Sequence, residues 1–368
     1  MHVGLNLVFL VPGETGGMEV YARELAARLA RRADLRVTAF VSRAARGWSE
    51  EVATAVLPVD ARRRVEWVLG EQRHLPAAAA RLGCDVVHSL ASTAPWHGSA
   101  ARVTTIHDLN YKLVPDTHFG VHGLGMRVLV PAAARRSNRI IADSESTRRD
   151  LVRHLGVPPG KVDIVPLGAA PPSGDATPER ELRERLGLRE RTVVLSASAK
   201  RPHKNLARLL DALTAIPEER RPQLVVPGYP TPYEAELREH AARVGVDAVW
   251  PAWVSSADLE GLYALATLVA FPSLYEGFGL PVLEAMARGV PVACSDRSSL
   301  PEVAGDAALL FDPEDTSAIA AAIERLLGDA GLREELTRRG RERAAAFTWD
   351  ATAERTVAVY RRALSHPS

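Results

Sequence analysis

The segment AFPSLYEGFGLPVLEAMARGVPVACS at Ala270–Ser295 indicates the fold of the chain. Its apolar start predicts a strand that ends at Phe271, and a glycine-rich loop follows at Ser273–Leu280. Pro281 suits the first position of a helix, because its ring presets φ, and Gly289 is well placed to end that helix. An apolar strand follows directly. The order of strand, loop, helix and strand predicts a βαβ unit in a parallel sheet.

Strand-like apolar runs alternate with helical patterns along the rest of the chain. In the first half the runs are Leu5–Val11, Arg36–Val41, Asp85–Ser89, Val103–Ile106, Arg139–Ala142 and Val162–Val165. In the second half they are Thr192–Ala197, Gln223–Val226, Ala248–Trp250, Thr267–Phe271, Val290–Ala293 and Ala308–Phe311. This alternation predicts doubly wound α/β domains with parallel sheets.

The stretch PLGAAPPSGDATPE at Pro166–Glu179 is the best candidate for a domain boundary, because proline, glycine and small polar residues dominate it. It separates two nearly equal series of strands. We therefore expect one Rossmann-like domain over residues 1–170 and another over residues 171–349. Ligands of such domains bind at the carboxyl ends of the strands, so we expect a ligand cleft between the domains.

The composition is that of a soluble globular enzyme. The chain has 368 residues, of which 46% are hydrophobic and 25% are charged. Two cysteines argue against a disulfide scaffold, and no apolar run approaches the ~20 residues of a membrane span. The first apolar run has no basic flank and no small-residue cleavage site. We therefore interpret that run as a strand and expect a cytoplasmic protein.

Charge is distributed unevenly between the two halves. Residues 1–170 contain 22 basic and 16 acidic residues, whereas residues 171–368 contain 24 and 29. A basic first domain suits an anionic partner, and the Arg62–Arg64 run with the apolar residues after it suggests peripheral contact with a membrane. An ordinary solvated surface is the alternative. A nucleic-acid partner is not expected, because no zinc spacing or RNA-binding motif occurs.

A glycine pair precedes the first helical pattern in PGETGGMEV at Pro12–Val20. Gly16 and Gly17 let the backbone approach a ligand, and a helix N-terminus attracts anions. A tight turn without a ligand is the alternative. The dinucleotide motif G-x-G-x-x-G is absent, and no acid follows the second strand at Val41-Ser42. Both observations disfavour a nicotinamide dehydrogenase.

A basic turn follows a predicted strand in ASAKRPHKN at Ala197–Asn205. Arg201 and Lys204 stand at the start of the next helix, where their charges repel the positive end of the helix dipole. That unfavourable placement indicates a phosphate or diphosphate site, with a solvated helix start as the alternative.

Two glutamates lie eight residues apart in the Ala270–Ser295 segment, Glu276 in its loop and Glu284 on its helix. A Gly-Phe-Gly turn between them exposes backbone N–H groups at a helix N-terminus. A nucleotide diphosphate sugar needs such donors, together with carboxylates for its sugar and ribose hydroxyls. Two unrelated surface acids are the alternative. His107 follows another predicted strand beside Asp108, where it is either a residue of the cleft or a structural histidine.

These motifs resemble those of the retaining GT-B glycosyltransferases of family 4. The resemblance rests first on the E-x7-E element from Glu276 to Glu284 with FGLP inside it. It extends, in the expected order, to the GG-M-E turn, Ile106–Leu109, Ile140–Thr147, the RPHKN turn and Ser299–Asp315. It therefore covers nearly the whole chain.

The resemblance implies a GT-B fold, in which two Rossmann-like domains face a central cleft and a C-terminal helix at residues 350–368 packs on the first domain. It implies that Glu284 binds the ribose and that Glu276 contacts the donor sugar. It also implies that the backbone of Phe278, Gly279 and Leu280 contacts the sugar and the diphosphate, and that Arg201 and Lys204 neutralise the diphosphate. Gly16 and Gly17 would close over the donor. His107 would contact the sugar near the anomeric centre.

The chain departs from the family pattern in two places. Relatives often carry an arginine several residues before the lysine of the basic turn, whereas this chain has Ala199 and Lys200 nearby and Arg201 only three residues before Lys204. Lys204 therefore follows the pattern better than Arg201 does. Relatives often carry a glycine near the base-binding strand, where this chain has WPAWV at Trp250–Val254, so the nucleobase contact stays open.

We expect a retaining hexosyltransferase that moves a sugar from GDP-mannose or a UDP-hexose to an acceptor hydroxyl. Neither a metal nor another cofactor is expected. The acceptor, a carbohydrate, a lipid-linked intermediate or a small molecule, should meet the first-domain loops at Ser92–Ser99 and Tyr111–Gly125. The alternatives are a nucleotide-sugar epimerase, another GT-B-like enzyme, or a catalytically silent partner subunit of a transferase.

Overall fold

A computed structural model of the chain describes residues 1–114 and 121–365, with side chains throughout except at residues 121–124. The chain forms two compact units. Unit 1 comprises Met1–Gly168 and Thr348–Ser368, and unit 2 comprises Ala169–Phe347. Within the predicted acceptor loop at Tyr111–Gly125, residues 111–113 and 121–125 are helical instead, and residues 115–120 lie outside the described residues.

Unit 1 is built on a parallel sheet of seven strands in the order β3-β2-β1-β4-β5-β6-β7. The strands are β1 (His2–Leu7), β2 (Arg36–Val41), β3 (Ala53–Val56), β4 (Val86–Ser89), β5 (Ala101–Ile106), β6 (Arg139–Ala142) and β7 (Val162–Ile164). Its helices are α1 (Gly17–Ala30), α2 (Arg64–Leu69), α3 (Leu75–Arg81), α4 (Asn110–Leu113), α5 (Val121–Arg136), α6 (Glu145–Leu155) and, from the end of the chain, α15 (Trp349–Ser365). The strand order reverses direction between β1 and β4, which is where ligands of such sheets bind.

Unit 2 is built on a parallel sheet of six strands in the order β10-β9-β8-β11-β12-β13. The strands are β8 (Val193–Leu195), β9 (Gln223–Val225), β10 (Ala248–Val249), β11 (Leu268–Phe271), β12 (Val292–Ser295) and β13 (Leu309–Phe311). The helices are α7 (Glu179–Leu186), α8 (Leu206–Thr214), α9 (Tyr233–Val244), α10 (Ser256–Leu265), α11 (Leu280–Ala287), α12 (Leu300–Ala304), α13 (Thr316–Gly328) and α14 (Ala330–Ala345). The order reverses between β8 and β11.

Helix α8 shows why these segments fold as they do. Its leucines stand at positions 206, 209, 210 and 213, a helical period that places all four on one face, and all four are fully buried. They pack against strand residues such as Val194 and Leu268 and against Ile319 of α13. This cluster forms the core on one face of the second sheet and holds the loops at the carboxyl ends of its strands in place.

Helix α15 returns the chain to unit 1. Arg361 forms an ion pair with Asp34 at 3.0 Å, and Arg362 forms one with Asp163 at 2.9 Å. The Tyr360 hydroxyl lies 2.8 Å from Nδ1 of His88 in the interior of the unit. Unit 1 is therefore completed by the last segment of the chain.

Several strands shift by one or two residues at an end from the sequence-based prediction, and two differ from it more strongly. β1 runs over His2–Leu7 and not over Leu5–Val11, because the chain turns after Leu7 and the N–H of Leu10 donates to the Leu7 carbonyl. Val8 and Leu10 lie in the loop after the strand, but their side chains are buried. The apolar run in the sequence therefore continues past the end of the strand. β3 was not predicted; it is an edge strand, and its residues are mostly exposed.

No helix within residues 1–114 and 121–365 combines the length and the apolar character that a membrane-spanning helix requires.

Candidate functional site

The glycine-rich loop after β11 leads directly into helix α11. Gly279 has a φ of +105°, a region that favours glycine, and a Cβ there would lie 2.6 Å from Cδ2 of Leu300. The helix begins at Leu280, one residue before the start predicted at Pro281. Pro281 has no N–H and the N–H of Val282 donates to the Gly279 carbonyl at 3.0 Å, so the backbone donor that this first turn offers to an anion at the carboxyl edge of the sheet is the N–H of Leu280.

Lys204 and Glu276, both predicted to contact the donor, form an ion pair with each other. Lys204 Nζ lies 2.6 Å from Glu276 Oε1, and the two side chains are only 15% and 12% exposed. The ammonium group also lies 5.4 Å from the ring centroid of Phe271. Lys204 follows β8 and Glu276 follows β11, so the pair spans the point where the strand order of unit 2 reverses. Without a ligand, each charge compensates the other.

Two serines after β12 hold the backbone of this loop. Ser298 Oγ accepts from the N–H of Glu276 at 2.8 Å. Ser299 Oγ lies 3.0 Å from the carbonyl of Glu276 and 2.8 Å from that of Phe278. Ser298 has a φ of +51°, which is strained for a residue other than glycine. Neither serine was predicted. A signal existed, because loops that follow adjacent parallel strands meet at one edge of a sheet.

Phe278 contributes its side chain to the core. Its ring is only 6% exposed and packs edge-on against Phe347, with the ring centroids 6.0 Å apart. A ligand at this loop would therefore contact the backbone of Phe278 and not its ring.

Glu284 lies on α11 in a network that the sequence analysis did not find. The Tyr263 hydroxyl donates to Glu284 Oε2 at 3.3 Å, and Arg288 donates to the Glu284 carbonyl at 3.1 Å. Arg288 also forms an ion pair with Glu260, with Nε 2.8 Å from Oε2. Burial raises the pKa of Glu284, while the Arg288 charge and the Tyr263 hydrogen bond act in the opposite direction. The carboxylate has unused acceptor capacity for hydroxyl groups.

Arg201 is directed away from Lys204. Its NH2 group donates to the Tyr229 hydroxyl at 2.9 Å, and its guanidinium lies 5.9 Å from the Tyr229 ring centroid. Arg201 and Lys204 therefore do not share one partner in this structure. The turn is fixed by Asn205, which has a φ of +58° and whose amide donates to the carbonyls of Pro272 and Pro313.

In unit 1, His107 lies just after β5 with both ring nitrogens occupied. Nδ1 is 2.6 Å from Asp143 Oδ2 and Nε2 is 2.8 Å from the Leu90 carbonyl. Both partners are acceptors, so both nitrogens donate and the ring is an imidazolium. Burial opposes this charge. The Asp143 carboxylate and the hydrogen bonds to Asp143 and Leu90 outweigh burial and raise the pKa of His107 to about 9.

The ring of His107 is also fixed from the side. Tyr21 of α1 packs edge-on against it, with the ring centroids 5.1 Å apart. The Tyr21 hydroxyl lies 2.9 Å from Thr105 Oγ1, which lies 2.8 Å from Nε2 of the buried His88. Asp143 and this network were not predicted, although the motif at Ile140–Thr147 had been noted. The pairing of His107 with Asp143 follows from β5 and β6 being neighbours.

Gly16 and Gly17 lie at the start of α1. Gly16 is the N-cap, with a φ of +61° that favours glycine, whereas nothing lies within 4 Å of a Cβ built on Gly17. Glu19 in the first turn accepts from the N–H of Gly13 at 2.8 Å. Conformation therefore explains the glycine at position 16 but not the one at position 17.

Over residues 1–114 and 121–365, no three His, Cys, Asp or Glu side chains are grouped closely enough to ligate a metal ion together.

Comparison with known proteins assigns both halves of the chain to described families. The profile "Glycosyltransferase Family 4" matches residues 15–171, and "Glycosyl transferases group 1" matches residues 178–343. The chain is 32% identical to O-antigen chain mannosyltransferase B of Escherichia coli, over 72% of this chain and 71% of that protein. It is 31% identical to D-inositol 3-phosphate glycosyltransferase of Salinispora arenicola, over 96% and 88%.

A solved structure has the same fold over nearly its full length. HepE of Anabaena, crystallised with UDP and glucose, superposes with a TM-score of 0.76 over 98% of this chain and 99% of that one. The sequence identity is 18%, so this likeness concerns the fold. The fold class is GT-B, as predicted from the sequence.

Proposed function

Because the chain belongs to glycosyltransferase family 4, we propose that it transfers a hexose from a nucleotide diphosphate sugar to an acceptor hydroxyl with retention of configuration. The observation that carries this proposal is the Lys204–Glu276 pair, which lies at the switch point of unit 2 next to the start of α11. A cation and a helix N-terminus suit a diphosphate, and a carboxylate suits sugar hydroxyls.

We propose GDP-mannose as the donor. The similarity to a mannosyltransferase of E. coli supports a mannosyl donor. A UDP-hexose is the second candidate, which the UDP and glucose in the HepE structure favour. In either case Glu284 would bind the ribose hydroxyls.

Donor binding would rearrange the ion pair. The diphosphate brings at least two negative charges close to Lys204, and it would take over the ammonium that Glu276 holds in the free enzyme. Glu276 would then accept hydrogen bonds from the donor sugar. As the sugar–phosphate bond breaks, negative charge grows on the leaving diphosphate, and Lys204 and the first turn of α11 would stabilise it. We propose that these groups serve where other transferases use a metal ion, so that no metal is required.

The proton of the acceptor hydroxyl would pass to an oxygen of the diphosphate. The paired ring of His107 supports this route, because an imidazolium whose pKa is about 9 is a poor base at neutral pH. His107 would instead act as a fixed, positively charged contact to the donor sugar. Arg201, Gly16 and Gly17, and the backbone of residues 278–280, keep their proposed donor contacts.

Turnover by the isolated chain tests the proposal. GDP-mannose and UDP-glucose would each be incubated with the chain, EDTA and a panel of simple glycoside and lipid-linked acceptors, and nucleoside diphosphate release would be measured. We expect one donor to be consumed in EDTA, and Lys204→Ala to lower kcat about 10²–10³-fold. Strict dependence on Mg²⁺ or Mn²⁺ would contradict metal independence. A product that retains the nucleotide would indicate an epimerase, and no turnover with any acceptor would favour a silent partner subunit.

We also propose a cytoplasmic location with peripheral membrane contact through unit 1. On helix α2 the side chains of Val65 and Leu69 are 74% and 49% exposed beside the arginine run. Apolar residues flanked by arginines suit an anionic bilayer surface. Arg62 and Arg63 form ion pairs with Glu14 and Glu66, which weakens this attraction. Sedimentation with anionic liposomes tests the contact, and the chain staying in the supernatant would contradict it.

A further inference from the structure

A π-helical turn at Gly70–His74 joins α2 to α3 and carries a buried carboxylate. Glu71 is fully buried, and its Oε1 accepts from Asn6 Nδ2 at 2.9 Å and from Thr93 Oγ1 at 3.0 Å. Asn6 also donates to Ser89 Oγ at 3.0 Å. Asn6 lies on β1 and Ser89 ends β4, so this network crosses the point where the strand order of unit 1 reverses. Turns of this kind often mark functional positions.

Gln72, the next residue of the turn, holds the loop that follows β4. Its Nε2 donates to the Ala94 carbonyl at 3.0 Å, and its Oε1 accepts from the backbone N–H of Trp96 at 3.0 Å. Together with the bond from the Thr93 hydroxyl to Glu71, these contacts hold three of the four residues from Thr93 to Trp96, two of them through the backbone. The same loop begins at Leu90, whose carbonyl accepts from His107. The segment Leu90–Trp96 therefore connects the proposed sugar contact to the π-helical turn.

Trp96 lies at the end of this fixed segment and is exposed to solvent. Residues 93–95 are buried, whereas Trp96 is 40% exposed. Ser92 near the start of the loop has a φ of +62°, a strained conformation for serine. Strain of this kind is found most often at ligand sites. The loop that ends at the exposed Trp96 is therefore held in place by the buried Glu71 and by Gln72, and it contains the strained Ser92.

We propose that Trp96 is a stacking residue for a sugar ring of the acceptor. This inference rests on the proposed function. The face of an indole ring is apolar and slightly negative, and one face of a pyranose carries C–H groups that are apolar and slightly positive, so the two stack. The loop follows a strand at the switch point of unit 1, where a ligand of a doubly wound sheet is expected. The acceptor class is therefore a carbohydrate, or a molecule that carries a sugar ring where transfer occurs.

Saturation-transfer NMR on the full chain tests this assignment. The probes are methyl α-D-mannopyranoside and methyl α-D-glucopyranoside. We expect saturation of ring C–H protons of at least one glycoside, about fivefold to tenfold weaker binding in Trp96→Ala, and partial retention in Trp96→Phe. Gln72→Ala keeps the indole but frees the loop, so it should weaken binding to an intermediate degree.

Leu82→Ala is the matched control. Leu82 is 39% exposed in the same unit, but it lies between α3 and β4, at the amino edge of the sheet. It should bind the glycosides as the wild type does. Equal binding by wild type and Trp96→Ala would overturn the inference, and so would a wild type that binds neither glycoside.

Nucleotide binding, measured on the same proteins by thermal unfolding with GDP and UDP, reports separately on the proposed function. A chain that binds a nucleotide but ignores the Trp96 substitution keeps the proposed function and loses this inference. A chain that binds glycosides through Trp96 but binds no nucleotide keeps this inference and loses the proposed function.

Discussion

At the residue scale, the candidate donor site is organised by charge pairs that are mostly buried. Lys204 and Glu276 are held 2.6 Å apart at the carboxyl edge of the sheet. Removing one partner of such a pair leaves the other without compensation, and this costs more than the pair contributes. The cation that we propose for diphosphate binding is therefore neutralised by its partner.

The pair predicts a strong coupling between two substitutions. Lys204→Ala and Glu276→Ala should each lower the free energy of unfolding. The double variant should lose less than the sum of the two, with a coupling of about 1–3 kcal/mol. Urea unfolding of the four proteins measures this. Arg180→Ala with Glu184→Ala, an exposed pair on α7, is the control and should couple by less than about 0.5 kcal/mol. Additive losses at Lys204 and Glu276 would contradict the pairing.

The His107–Asp143 contact predicts a shifted titration. The pKa of His107 is raised to about 9, so the stability that its charge contributes is fully present below the ordinary value near 6.5 and is lost as pH rises through 9. NMR titration of the ring protons should show this pKa in the wild type. Asp143→Asn should move it down towards 6.5, because it removes the carboxylate charge. A wild-type ring that titrates near 6.5 would contradict the imidazolium assignment.

At the element scale, the loop after β11 depends on the loop after β12. Ser299 Oγ lies within hydrogen-bond distance of two carbonyls of the first loop, those of Glu276 and Phe278. This contact aligns the backbone at the start of α11. Because the proposed diphosphate contact is a backbone contact, the serine acts on it indirectly.

Ser299→Ala should therefore lower the free energy of unfolding by about 1–3 kcal/mol, since it leaves buried carbonyls unpaired. It should also weaken nucleotide binding, measured by calorimetry with GDP and UDP. Ser365→Ala removes another hydroxyl that contacts a backbone carbonyl, at the exposed end of α15, and should change neither quantity. Unchanged nucleotide binding in Ser299→Ala would show that Ser299 does not position the loop after β11 for the nucleotide.

Elements and site residues differ in how far the sequence predicts them. Most strands are buried on both faces, so they appear as apolar runs, whereas β3, a mostly exposed edge strand, was not predicted. Lys204 and Glu276 were each identified from local motifs. Their pairing was not, because they stand 72 residues apart and meet only through the order of β8 and β11. Glu71 had no motif around it, and only its burial beside Asn6 reveals it.

At the scale of the whole molecule, the chain builds unit 1 from its first and last segments. Helix α15 contributes Trp349, Val357 and Tyr360 to the interior of that unit, each 2% exposed or less. Gly168 lets the chain pass close to this helix, because a Cβ there would overlap the backbone at Trp349. The last segment is therefore part of the core of unit 1.

A chain that ends at Phe347 should lose the structure of unit 1 while unit 2 stays folded. The reason is that the truncation exposes the apolar surface that α15 covers in unit 1 and removes no residue of unit 2. Limited proteolysis with mass spectrometry measures this. We expect rapid cleavage within residues 1–168 and protection within residues 169–347. A truncated chain with both units equally protected would contradict this role of α15.

Lys204 in unit 2 is proposed to bind the diphosphate of a nucleotide donor. The most direct test is thermal unfolding in EDTA with GDP, GMP, UDP and UMP, on the wild type and on Lys204→Ala. A ligand at 100 times its Kd adds about 2.7 kcal/mol, which raises Tm by several degrees. We predict a larger Tm rise for one diphosphate than for its monophosphate in the wild type, and no such difference in Lys204→Ala. Equal shifts in the two proteins, or no shift with any nucleotide, would contradict the claim.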